Sequence, residues 1–142
     1  MPPTGGAPTV SPGAPYDSHG PRADTRGRVE KYFRMLHKKM GLTGSLTFEW
    51  EAEDSEQCYL AIAQDSELDA VVSIHPEYLT KSPEVQRLGA VHELVHKLWH
   101  PYTSLAVAGL KARHYATMTQ AEEPCVEATA RLLAPRFPLP KF

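Results

Sequence analysis

Between residues 25 and 40 the apolar positions Val29, Phe33, Leu36 and Met40 recur at helical spacing, and Gly41 follows as a stop. The stripe predicts an amphipathic helix, because residues three and four apart share one side of a 3.6-residue turn. The period then drops to two. Leu46, Phe48 and Trp50 alternate with Thr47, Glu49 and Glu51, and two further segments, QCYLAIA (57–63) and DAVVSIH (69–75), are rich in β-branched and small apolar residues. The polar stretches AEDSE and QDSEL separate them. Three short strands joined by polar turns predict a three-stranded antiparallel sheet built as a meander.

Helical spacing returns after Ser82 and Pro83, which read as an N-cap and a first helical position. Leu88, Val91, Val95 and Leu98 form the apolar stripe of this helix, and Pro101 is expected to end it. SLAVAGLKARHY (104–115) reads as a helix of small residues. A last helix covers roughly 120 to 134, with Val126, Ala130 and Leu133 facing inward and Pro135 as its stop. The predicted order is α-β-β-β-α-α-α, an α+β fold. Residues 1 to 22 are rich in Pro and Gly and are expected to form a disordered tail, which leaves 23 to 142 as a single domain.

The chemistry concentrates in VHELVHKLWH (91–100). On a helix the fourth residue along lies about 40° round from the first, so His92 and His96 stand one above the other and can reach one ion. Glu93 lies on the same half of the helix. It is too close to the backbone to be a comfortable third ligand, yet it can reach a metal-bound water. The spacing therefore reads as two zinc ligands and a general base. The competing reading takes the same residues as core and rim positions that fall into register.

A catalytic zinc site needs a third protein ligand and an open fourth position. His100, His114, Glu122, Glu123 and Glu127 are available. His100 continues the four-residue spacing, but three ligands from one straight helix cannot close a tetrahedral site. Thr119 and Glu122 have capping-box spacing, which would occupy Glu122 at a helix start. Glu123 continues the inward series through Val126, Ala130 and Leu133. Pro124 disfavours helical geometry at Glu123, and a helix that starts at Pro124 would make Glu127 the ligand. Otherwise Glu127 is placed to hold an imidazole N–H behind the metal. Tyr102 and Tyr115 lie between the second histidine and the carboxylates, where one could donate to an oxyanion, although amphipathic packing is the simpler account of both.

HExxH followed by a glutamate on a later helix is the gluzincin arrangement. From about 69 to 134 the chain resembles small phage-associated or bacterial HExxH metallopeptidase-like proteins, in the segments AVVSIHPE, AVHELVHKLWHP and AEEPCVEATARLL. It is more distantly similar to the ImmA/IrrE peptidases, in HExxH, the downstream glutamate and the closing LLAP, and it lacks their Asn and Phe around that glutamate. The resemblance implies a minimal gluzincin fold with Glu123 as third ligand.

Composition narrows the alternatives. A hydrophobic fraction of 42% with 23% charged residues is that of a globular domain. A net charge of −2 argues against a general nucleic-acid binder. Charge is nevertheless uneven: residues 22 to 39 carry seven Lys and Arg against two acids, while 49 to 69 carry eight acids and no base. These read as two solvated faces, or as segments that attract each other or a partner. Cys58 and Cys125 are too few for a disulfide framework and are expected to be buried small hydrophobes. The chain offers no apolar run of membrane length and no leader-like segment, so a cytoplasmic protein is expected. No Gly-x-Ser-x-Gly elbow or phosphate-binding glycine loop competes with HExxH. The sequence thus points to a zinc metallopeptidase that cleaves a peptide bond through a zinc-bound water, with Glu93 as base. The other readings are a zinc hydrolase acting on a non-peptide amide, or a non-catalytic zinc-stabilised module that binds a protein partner, as in phage structure or regulation. Oligomeric state is left open.

Overall fold

The computed structural model describes residues 16–17, 20–66, 68–108 and 112–142, with the backbone alone at 16, 17, 107, 112, 113 and 115. Most of the expected tail lies outside these residues. Of the remainder, β1 (Tyr16–Asp17) pairs antiparallel with β2 (Gly20–Pro21). Helix α1 follows at Ala23–Lys39, with Val29, Tyr32, Phe33 and Leu36 on its buried face. It stops as expected at Gly41, whose φ of +71° suits a residue without a Cβ.

The sheet consists of β3 (Leu46–Trp50), β4 (Leu60–Gln64) and β5 (Ala70–Ile74). It is mixed, and the antiparallel meander is overturned. The spatial order is β3-β5-β4, with β5 parallel to β3 and antiparallel to β4. The connection lengths carry the reason. A short hairpin joins β4 to β5, closed by the Asp65 and Ser66 N–H groups on the Asp69 carbonyl, whereas residues 51–59 are too long for a hairpin and carry the chain across to the far edge. The most apolar strand, β5, thereby takes the centre, with Ala70, Val72 and Ile74 buried. The outer strand β3 turns Thr47 and Glu49 to solvent. The parallel register starts at a defined clasp. Asp69 Oδ1 accepts from the Ser45 backbone N–H (2.8 Å) and hydroxyl (2.9 Å), and these bonds hold its carboxyl below the usual pKa.

One face of the sheet, with Leu46, Phe48, Val72, Ile74 and Leu60, packs against the helices. Phe33 of α1 meets Phe48 edge-on at 5.9 Å, and Arg26 and Arg34 lie over the rings of Trp50 and Phe48. The basic helix thus meets β3 partly through its aromatic rings, each such contact contributing about 0.5–1 kcal/mol at an exposed site. After β5 a short 3-10 helix, Pro76–Thr80, buries Tyr78, whose hydroxyl donates to the Gln86 carbonyl at 2.8 Å. Helix α2 starts where expected, with Ser82 as N-cap accepting from the Val85 N–H, and runs over Pro83–Val107.

Two helix boundaries are corrected. Pro101 lies inside α2 and Pro124 inside α3 (Ala112–Leu133), so the predicted small-residue helix is divided between its two neighbours. An interior proline removes one backbone hydrogen bond, which packing along the remaining turns can offset. Near Pro101 the Thr103 hydroxyl bonds the His100 carbonyl at 3.1 Å. Leu98, expected in the core, is 39% exposed, since α2 has by then run past the sheet. Cys58 and Cys125 are free and exposed rather than buried, one in the connection before β4 and the other on the outer side of α3. Among the described residues no helix is long and apolar enough to cross a membrane.

Lys97 locks α2 to the loops beside the sheet. Its ammonium donates to the carbonyls of Thr43 (2.6 Å) and Leu68, and burial holds its pKa below the ordinary value. Gly44 permits this closeness, because a Cβ there would sit 2.0 Å from the Leu68 carbonyl oxygen. Lys97→Met keeps the aliphatic stem and leaves two carbonyls without their donor. Urea denaturation should show a loss of about 1–3 kcal/mol; an unchanged midpoint would remove Lys97 from this role.

Candidate metal centre

Helices α2 and α3 lie side by side, with Val91, Leu94 and Val95 of one and Val126 and Ala130 of the other in the shared core. His92 and His96 stand on the α2 face beside that core, about one turn apart, with ring centroids at 5.0 Å. Glu123 reaches them from α3. Its Oε1 is 3.0 Å from His96 Nε2, and its Oε2 is 3.4 Å from His92 Nε2. Among the described residues, His92, His96 and Glu123 form a group whose possible ligand atoms all lie within 4.8 Å of one another.

The donor set and its spacing fit a zinc ion. Two ligands at about 2.0–2.1 Å in a tetrahedron stand about 3.3 Å apart. Each oxygen of Glu123 is near that distance from one imidazole, while the group as a whole spans up to 4.8 Å, so small side-chain adjustments would close it round an ion. The carboxylate is also exposed enough to move, since its side chain is 55% accessible. A helix that starts at Ala112 makes Glu123 helical despite Pro124 and leaves no helix start for Thr119 to cap.

The outer nitrogens have partners as well. Glu127 Oε2 lies 3.0 Å from His92 Nδ1, and its other oxygen is held by Arg131 at 2.6 Å. Glu122 Oε1 lies 3.6 Å from His96 Nδ1. With a proton on Nδ1 each ring presents a lone pair at Nε2, toward Glu123. The sequence pattern assigned Glu122 to a cap and overlooked Arg131, although the Glu127–Arg131 spacing of four residues was legible.

Glu93 lines the same cleft, with its carboxyl against the sheet. Its Oε2 accepts from the Ile62 backbone N–H at 3.0 Å. Burial pushes its pKa from the usual 4.5 up to about 8; the Ile62 bond opposes this, and the Glu123 charge adds to it. Because Ile62 sits opposite Val72, an N–H directed at Glu93 leaves the sheet on its open side. Among the described residues β4 pairs with β5 alone. That outer edge borders a cleft of about 580 Å3 together with His92, Glu93, His96 and Glu123.

The remaining candidates fall elsewhere. His100 lines the same cleft and bonds the Ser104 hydroxyl at 3.1 Å, outside the three-residue group. His114 is exposed on α3. Tyr102 is 66% exposed, stacks edge-on against Trp99 and does not line the cleft. The Tyr115 side chain lies outside the described residues.

Comparison of the chain with protein-family models, curated proteins and solved structures finds no match. The gluzincin resemblance therefore rests on the motif residues themselves.

A raised carboxyl pKa means that the ionised form of Glu93 opposes folding. Its favourable contribution is complete below about pH 4.5 and is lost as pH rises through about 8. In metal-free protein, Glu93→Gln should therefore melt several degrees above the parent at pH 8, and the difference should close toward pH 4.5. Equal Tm values across that range would show the carboxyl to be solvated.

Proposed function

We propose that the protein is a zinc-dependent metallopeptidase with His92, His96 and Glu123 as ligands. The observation that carries this reading is the convergence of two imidazole Nε2 atoms and one carboxylate beside a shielded glutamate that leans on an open strand edge. A purely structural zinc site has no need of that glutamate or of a groove. When bound, zinc would act as a Lewis acid on a scissile carbonyl and lower the pKa of a water.

The chain's own residues supply the rest. Glu127 holds the His92 ring by its Nδ1, which fixes that imidazole before a ligand arrives, and Glu122 places a carboxylate 3.6 Å from Nδ1 of His96. The outer edge of β4 faces the cleft, and an extended peptide can lie along it once the Ile62 N–H that Glu93 now accepts is exchanged for a peptide carbonyl. Glu93 then takes a proton from the attacking water at its carboxylate and returns it to the leaving amine.

Elemental analysis of purified or reconstituted protein should find about one zinc per chain, and no uptake would remove the metal reading. Glu123→Gln should abolish tight binding, whereas Glu127→Gln should weaken it about 10- to 100-fold, as loss of an outer hydrogen bond does. The reverse ranking would exchange their roles. Glu93→Gln should keep zinc and fold while peptide cleavage falls roughly 10²- to 10⁴-fold. Undiminished cleavage with zinc still bound would sink the mechanism.

A further inference from the structure

The outer edge of β4 is capped by side chains from the cleft. The His75 N–H donates to the Tyr59 carbonyl and the Asp65 N–H to the Asp69 carbonyl, so every second residue from Tyr59 bonds β5. The alternation of an antiparallel pair then turns the main-chain groups of Leu60 and Ile62 away from the sheet. The Leu60 carbonyl and the Ile62 N–H are neighbours along that edge, and neither is bare. The Cys58 thiol donates to the Leu60 carbonyl at 3.3 Å, and the Glu93 carboxylate accepts from the Ile62 N–H at 3.0 Å. Cys58 and Glu93 both line the cleft with the candidate metal ligands. Such capping blunts an edge that would otherwise pair with other chains.

The Glu93 contact does more than protect the edge. Its length is the ordinary N–H···O separation of a sheet ladder, so the carboxylate oxygen stands where an added strand would put its carbonyl. The two acceptors exclude each other. Water can serve the Ile62 N–H while the edge is wet, but a peptide laid along β4 shuts water out, and an unpaired N–H there is costly. The peptide therefore has to supply the carbonyl itself as Glu93 leaves. On the metallopeptidase reading, on which this rests, we infer that Glu93 is a latch on the β4 edge, released to act as base only when an extended main chain pairs there. The substrate class follows. A polypeptide stretch that sets a carbonyl opposite Ile62 frees the base, and its neighbouring N–H replaces the Cys58 thiol on Leu60. A small amide that reaches the metal without pairing leaves Glu93 engaged and is spared.

The test separates pairing from metal binding and needs no turnover. Zinc-loaded protein is titrated calorimetrically with 2-mercaptoethanol and with an acetylated, amidated alanine pentapeptide that has cysteine at its centre. Both ligate zinc through a thiolate, and only the peptide has a main chain to lay along β4. Glu93→Ala removes the competitor for the Ile62 N–H. The peptide should therefore bind the variant about tenfold more tightly than the parent, relative to mercaptoethanol, as expected for one hydrogen bond to a charged group. The lost charge acts on both thiolates alike and cancels in that ratio. Glu93→Met, which keeps the length of the side chain, gives the same comparison if the alanine variant folds poorly. An unchanged ratio overturns the latch and leaves the metal centre standing. If zinc is not taken up, the peptidase reading fails by itself, and amide exchange in metal-free protein decides the contact. The Ile62 amide should exchange about tenfold faster in the variant than in the parent, while Ala61, which bonds β5, stays unchanged. Equal Ile62 rates overturn the latch there too.

Discussion

The apolar seam between α2 and α3 is the constraint on which the candidate centre depends. Val91, Leu94, Val95, Val126 and Ala130 are all closed to solvent, and each buried valine or leucine side chain contributes about 1.5–3 kcal/mol. The polar contacts beside the seam are weaker, because partly exposed ion pairs contribute about 0–1 kcal/mol each. Packing therefore sets the helix positions and the carboxylates follow. Glu123 lies one turn before Val126 on the same stripe, where α3 passes the edge of the core, and the seam delivers it opposite His92 and His96. The short side chain of Ala130 allows the helices to approach closely there.

The same seam explains why two prolines fail to end their helices. Each loses one backbone hydrogen bond, but the turns beyond Pro101 and before Pro124 form the walls of the cleft. His100, Thr103 and Ser104 border it from α2, and Met118, Thr119 and Glu122 from α3. A helix ending at Pro101 and another starting at Pro124 would leave those walls unbuilt. This side of the cleft is thus made from turns that local propensity disfavours.

The sheet makes the complementary contribution. With β5 in the centre, β4 becomes an edge strand beside α2, and its outward N–H at Ile62 finds the Glu93 carboxylate. An antiparallel meander would have placed β4 in the middle, paired on both sides, with that N–H committed to a neighbour. Shielding of Glu93, its raised pKa and the open strand edge therefore share one topological cause.

The elements themselves were legible in the sequence. Helical and two-residue periods marked α1, the three strands and the start of α2, because burying one face imposes those periods whatever the neighbours are. The His92, Glu93 and His96 spacing was equally legible, since it is set within a single helix. Beyond that, local rules misjudged what long-range contacts decide. The period of two says which face of a strand is buried and nothing about which strand lies beside it, although the long 51–59 connection already argued against a hairpin. Proline propensity was read as a boundary where packing carries the helix through. The roles of Glu122, Glu123 and Glu127 depend on the rotation and axial offset of α3 against α2, fixed by valine and alanine contacts between residues some 35 positions apart. Only the tertiary structure supplies that offset, and with it the difference between an imidazole's Nε2 and its Nδ1.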